Sequence, residues 1–161
     1  MASTKRRDVS LPFKSLPQIP YISYMNMTLQ DKSESFRIFL LLIRQDGKIS
    51  KQERDLMMRI GKMLDFARDF SETAINDVLE NPHISLSPHR FSHPDVARAF
   101  LKDAIALALA DGSLDESERE WLTLVADENT IPCEWMDGEI ARLKQNLPDL
   151  SYKLELQQFV G

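Results

Sequence analysis

Asp111-Gly112-Ser113-Leu114-Asp115-Glu116-Ser117-Glu118-Arg119 decides how this chain is read, because Asp46-Gly47-Lys48-Ile49-Ser50-Lys51-Gln52-Glu53-Arg54 keeps the same order 65 residues upstream. Both stretches follow D-G-x-[I/L]-[S/D]-x-x-E-R. Each comes after an apolar run, Phe36 to Ile43 in the first and Ala97 to Ala110 in the second, and each precedes a segment of helical periodicity. The unit is helix, turn, helix, and it occurs twice. Gly47 and Gly112 stand just past the last apolar residues, where a left-handed backbone closes a helix at a cost of about 1–2 kcal/mol to other residue types. Three residues on, Ser50 and Asp115 can cap the next helix through a side-chain oxygen. Glu53 and Glu118 fall where a capping-box glutamate reaches back. A cap such as Ser50 contributes about 0.5–2 kcal/mol, so helix capping accounts for these residues without any ligand.

Length and composition bound the rest. At 161 residues and 43% apolar content the chain is long enough to bury about 70% of its unfolded surface in one core. Net charge is −5 with a pI near 5.2, and a broad nucleic-acid face is not expected from such a balance. The charge is uneven, at +3 over residues 1–24 and −8 over the remainder. A lone Cys133 offers neither an internal disulfide nor a Cys-rich zinc site. No signal-peptide pattern opens the sequence, and the longest apolar run near its front, Ile38 to Ile43, is far short of the roughly 20 residues of a membrane span. The expected setting is the reducing cytoplasm, with no integral membrane segment.

Residues 1–30 read as an extended arm. Pro12, Pro17 and Pro20 interrupt any helix, while Phe13, Tyr21 and Tyr24 suit packing on the body or on a neighbouring molecule. Lys5-Arg6-Arg7 is too short a cluster to be a specific anionic-surface anchor. Residues 31–161 read as a single helical domain, with repeat one over about 31–80, a His/Pro connector over 81–93, repeat two over about 94–147 and a tail or short helix over 148–161.

Phe36, Phe39, Leu40 and Ile43 predict a first helix over about 32–45. Leu56, Met57, Ile60, Met63 and Leu64 predict a second over about 51–66, its methionines serving as flexible core filler. Ser71 is the expected cap of a third helix carrying Ala74, Ile75, Val78 and Leu79. A fourth, about 94–110, is apolar on several sides and expected at the centre, with Ser92 as its cap and Pro94 in its first turn. Trp121, Leu122, Leu124 and Val125 predict a fifth over about 116–129, and Trp135, Met136, Ile140 and Leu143 a sixth between Pro132 and Pro148. Leu150 to Val160 is expected as a short seventh.

The connector holds all three histidines, His83, His89 and His93. Pro88 and Pro94 bracket the last two, so a continuous metal-binding helix is not expected there and a solvated linker is. No Ser-His-Asp or Cys-His ordering, phosphate loop or zinc helix is present. The chemistry that stands out is acidic: residues 103–120 carry a balance of −5, and clustered oxygens suit a hard divalent cation. The turn resembles the second half of an EF-hand loop, but Leu42, Arg44, Leu107 and Leu109 occupy the positions of its leading ligands, which excludes a true EF-hand. A weaker cation site would need the repeats to gather Asp46, Glu53, Asp111, Asp115 and Glu118. Capping and solvated charge explain the same residues and are preferred.

An apolar helix ending in Ala-Asp-Gly, followed by [I/L]-[S/D]-x-x-E-R and doubled in an all-helical chain, is similar to the TerB-like tellurite-resistance family. The likeness spans about residues 31–147 and is most specific in Leu109-Ala110-Asp111-Gly112-Ser113-Leu114-Asp115-Glu116-Ser117-Glu118. The first copy departs from it, with Arg44-Gln45 where small residues precede Asp46. The resemblance implies an all-α TerB-like bundle of six to seven helices built from two helix-turn-helix repeats. It implies a module without known catalysis, associated with bacterial stress response and also joined to J-domain co-chaperones of the DjlA type. The family's acidic turns, here Asp46, Glu53, Asp111, Asp115 and Glu118, have been suspected of metal contacts. The expected function is therefore a non-enzymatic interaction module with a protein partner or self-association. A divalent-cation sensor is the second reading, and a hydrolase using the same carboxylates as acid and base is the third. No catalytic residue or cofactor-binding residue is assigned.

Overall fold

Thr28 begins the helical body. Its hydroxyl accepts from the Asp31 amide while the Asp31 carboxylate accepts from the Thr28 amide, a closed capping box that starts helix α1 at Leu29–Ile43. The computed structural model describes residues 26–44, 48–81, 83, 87–110, 113–148, 151 and 153–161. Within them α1 is followed by α2 (Lys51–Met63), α3 (Arg68–Glu80), α4 (Pro94–Leu109), α5 (Glu116–Glu128) and α6 (Cys133–Gln145), then by a 3₁₀ helix at Glu155–Phe159. The chain is an all-α bundle of six helices, and the described residues contain no strand.

The element bounds recur at the spacing of the sequence repeat. Lys51–Met63 and Glu116–Glu128 start and stop 65 residues apart, and so do Arg68–Glu80 and Cys133–Gln145. The stops match as well. After α2, Asp65 takes a left-handed φ of 64° and the Phe66 amide reaches back to the Gly61 carbonyl at 2.9 Å. After α5, Thr130 takes a φ of 57° and the Ile131 amide reaches the Ala126 carbonyl at 2.8 Å. This six-to-one closure satisfies an end carbonyl and makes a left-handed non-glycine residue tolerable. Ile49 and Leu114, the aliphatic positions of the two turns, both pack against the core.

In the first half α1, α2 and α3 pack on one another. In the second, α4, α5 and α6 do the same, and α1 packs on α4 to join the halves. Phe39 of α1 stacks on Phe100 of α4 with ring centroids 5.2 Å apart. From Val96 to Leu109, α4 is buried except at Arg98 and Lys102, as its apolar sequence predicts for a helix covered on several sides. Met57 is fully buried, and Met58 and Met63 lie partly buried against the core.

Several expectations need correction. The arm does not extend to residue 30. Met27 is buried, its amide donates to the Phe159 carbonyl at 2.8 Å, and α1 is under way by Leu29; residues 1–25 lie outside the described residues. Ser71 does not cap α3, which begins three residues earlier, behind Ala67 and with no side-chain cap. Ser92 does not cap α4; His93 does, its ring accepting from the Asp95 amide. Leu124 points outward at 52% exposure. The seventh helix is the short 3₁₀ segment. Asp103, counted with the solvated acids, is fully buried, where its two carboxylate oxygens accept from the Glu155 and Leu156 amides at 2.7 and 2.9 Å and hold that segment on α4.

Candidate functional site

The two acidic turns are the residues from which a site would have to be built, and the described part of each is a closed capping box. The Ser50 hydroxyl accepts from the Glu53 amide at 3.1 Å, and Glu53 Oε2 accepts from the Ser50 amide at 2.8 Å. In the second copy Asp115 Oδ1 accepts from the Glu118 amide at 2.8 Å, Glu118 Oε2 accepts from the Asp115 amide at 3.0 Å, and the Ser117 hydroxyl donates to Asp115 at 2.8 Å. The Glu118 amide, helped by the Ser117 hydroxyl, holds the Asp115 carboxyl below its ordinary value. Of the five residues singled out in the sequence, Glu53, Asp115 and Glu118 therefore have carboxylate oxygens engaged in helix starts. Asp46 and Asp111, with Gly47 and Gly112, lie outside the described residues. Among the described residues no group of three or more His, Cys, Asp or Glu side chains is arranged to hold a metal ion.

The arginine that ends the motif has a role its position did not reveal. Arg54 donates to Asn76 Oδ1 of α3 at 3.1 Å, and Arg119 donates to Asp137 Oδ1 of α6 at 2.6 Å. In each half the Glu-Arg pair thus closes the start of the second helix and ties that helix to the third. Arg44, which breaks the small-residue pattern of the first turn, donates through Nη1 to the carbonyls of Val78 and Asn81 at 2.6 and 3.2 Å. It supplies end carbonyls of α3 with a donor.

The second polar cluster was missed by sequence reasoning. Asp31 is buried in the first turn of α1, where its carboxylate accepts from the Thr28 amide at 3.1 Å, the Ser92 amide at 3.2 Å, the Ser92 hydroxyl, and His89 Nε2 at 3.0 Å. Burial is the largest single influence on this carboxyl and raises its pKa. The hydrogen bonds from the Ser92 hydroxyl, His89 and the Thr28 and Ser92 amides together outweigh it and leave the group below its ordinary value. From the other side, Asn129 at the end of α5 donates to the His89 carbonyl at 2.8 Å and accepts from the Phe91 amide at 2.9 Å. Phe91 is buried against Phe100, and the His89 ring stands edge-on to Phe91. Residues 89–92 are thus a fastened strap rather than the solvated linker expected from the sequence. Only the order of the donors could have pointed to it, since the partners lie about 60 residues apart.

This cluster holds Asp, His and Ser without the order of a nucleophilic triad. The Ser92 hydroxyl and the His89 ring both bond to the carboxylate, whereas activation of a serine requires its proton to face the imidazole. Its chemistry is that of a buried, satisfied anion that fixes chain geometry.

Compared with protein-family models, curated proteins and solved structures, the chain matches none. No helix among the described residues is long and apolar enough to cross a membrane.

Proposed function

We propose that this chain is a non-catalytic interaction module of the TerB-like kind, working in a bacterial stress-response or tellurite-resistance-related assembly through a protein partner or a second copy. The observation that carries the reading is the 65-residue recurrence of helix bounds, capping boxes and left-handed stops through both halves. A tandem helical repeat is the architecture that the resemblance implies. The commitment of Glu53, Asp115 and Glu118 to capping adds support, because it gives the motif a folding role that needs no reaction.

The test is a thermal-denaturation and calorimetric titration of the wild type and Asp111→Asn with calcium, magnesium, zinc and nickel, run beside photo-crosslinking in the source cells from Leu124. The module reading expects a discrete crosslinked partner or dimer and no cation response that depends on Asp111. A stabilisation of about 2–3 kcal/mol at a hundredfold excess over Kd, lost in Asp111→Asn, would replace it with a divalent-cation sensor.

A further inference from the structure

A groove of about 360 Å³ runs between α1 and α3, floored by Phe36, Leu40, Ala74 and Val78 and edged by Phe70, whose ring is 48% exposed. Its rim carries Glu34, Arg37 and Asp77. Glu34 and Arg37 are paired with each other, which leaves Asp77 as the uncompensated charge on the rim. The groove is particular to the first half. At the positions 65 residues on, Trp135 stands for Phe70, Glu139 for Ala74 and Arg142 for Asp77. There Trp135 packs against the core and Arg142 pairs with Glu139 at 2.8 Å. Shorter side chains on α3 thus open an apolar trough that longer ones on α6 would fill.

We infer that this groove is the seat of the chain's own N-terminal segment, residues 11–24, held in an extended conformation with Phe13, Leu16 and Ile19 in the trough and Lys14 toward Asp77. The composition fits: Leu11-Pro12-Phe13-Lys14-Ser15-Leu16-Pro17-Gln18-Ile19-Pro20-Tyr21-Ile22-Ser23-Tyr24 has a single charged residue, and it is basic. Three prolines disfavour helix and preset an extended backbone, which lowers the entropy lost on docking. The reach fits as well. The first groove residue on α1, Ser33, is five residues past Thr28, about 7.5 Å along the helix axis at 1.5 Å per residue. Nine extended residues from Ile19 to Thr28 span up to about 28 Å at 3.1 Å each. Attachment to α1 makes docking intramolecular, so a modest apolar contact is populated through its high effective concentration. The module therefore carries a tethered occupant of its own apolar groove, which a partner would have to displace.

Paramagnetic relaxation on the full isotope-labelled chain tests this, with a nitroxide at Glu80→Cys in a Cys133→Ser background, Cys133 being exposed. The expected result is amide signal loss concentrated in residues 11–24 and unchanged when the protein is diluted with unlabelled chain. Ala74→Glu, which fills the trough, should abolish the loss while helical content is kept. Phe70→Ser, at an exposed position, should weaken it if Ala74→Glu does not fold. A loss that is shallow and even across residues 1–25 overturns the inference. So does a loss that persists undiminished in a folded groove variant. Loss seen only when a spin-labelled chain is mixed with a separate isotope-labelled one gives the groove to a second copy instead.

Discussion

Asp31 shows how much one side chain can organise. It satisfies the start of α1 and, through His89 and Ser92, fastens the strap between the two halves. Removing one member of a buried, hydrogen-bonded charged cluster leaves its partners unsatisfied, so Asp31→Ala should cost about 3–5 kcal/mol by urea unfolding at pH 7. The pH dependence has a definite sign. The folded carboxyl sits below its ordinary value, so its contribution is complete above about pH 4–5 and is lost as pH falls through the lower, folded value. The stability gap between wild type and Asp31→Asn should therefore be level from pH 7 to about 5 and narrow toward pH 3. A gap that stays level throughout would mean that Asp31 is not carried as a carboxylate.

At the scale of elements, capping boxes made several helix starts legible. Ser50 with Glu53, and Asp115 with Glu118, mark Lys51 and Glu116 as first helical residues because donor and acceptor lie within three residues of each other. Ser50→Ala should lower stability by about 0.5–2 kcal/mol in a denaturant titration with an unchanged m-value. The start of α3 was not legible, since Ala67 offers no side-chain cap and Ser71 has the chemistry of a cap without being one. Ser71 is instead buried where α3 crosses α2, with no hydrogen-bond partner for its hydroxyl among the described residues. A Cβ on Gly61 would stand 2.2 Å from that oxygen and 3.2 Å from the Phe36 ring. Gly61→Ala should thus destabilise by about 1–3 kcal/mol through overpacking. Ser71→Ala alone should be close to neutral, because it removes an unsatisfied buried hydroxyl, and the double variant should recover part of the Gly61→Ala loss. Additive effects in that double-mutant cycle would contradict the close approach. Asp31, Asp103 and Asn129 escaped sequence reasoning for a related reason. Their partners are 38 to 61 residues away, and no local pattern marks a polar residue that the fold will bury.

Across the whole molecule the halves share one core instead of keeping two. The Phe39–Phe100 stack joins α1 to α4, Phe91 of the strap lies on the same ring at 4.8 Å, and the 3₁₀ segment returns to α4 beneath Asp103. The front of the body is clipped to its end through Met27 and Phe159. A helix triad released from its partner would expose the α1–α4 face, and its loss would be felt by both triads at once. Unfolding should accordingly be one cooperative transition, with calorimetric and van't Hoff enthalpies equal. Phe100→Ala removes a fully buried ring from this junction and should cost about 3–5 kcal/mol, which for a chain of this size lowers Tm by about 6–20 °C. Hydrogen exchange locates the effect. Protection should fall together in α1 and α4, and in the helices packed on each, since the junction couples them. Loss of protection confined to α4, α5 and α6, or a second calorimetric transition, would show two independently stable triads that merely touch.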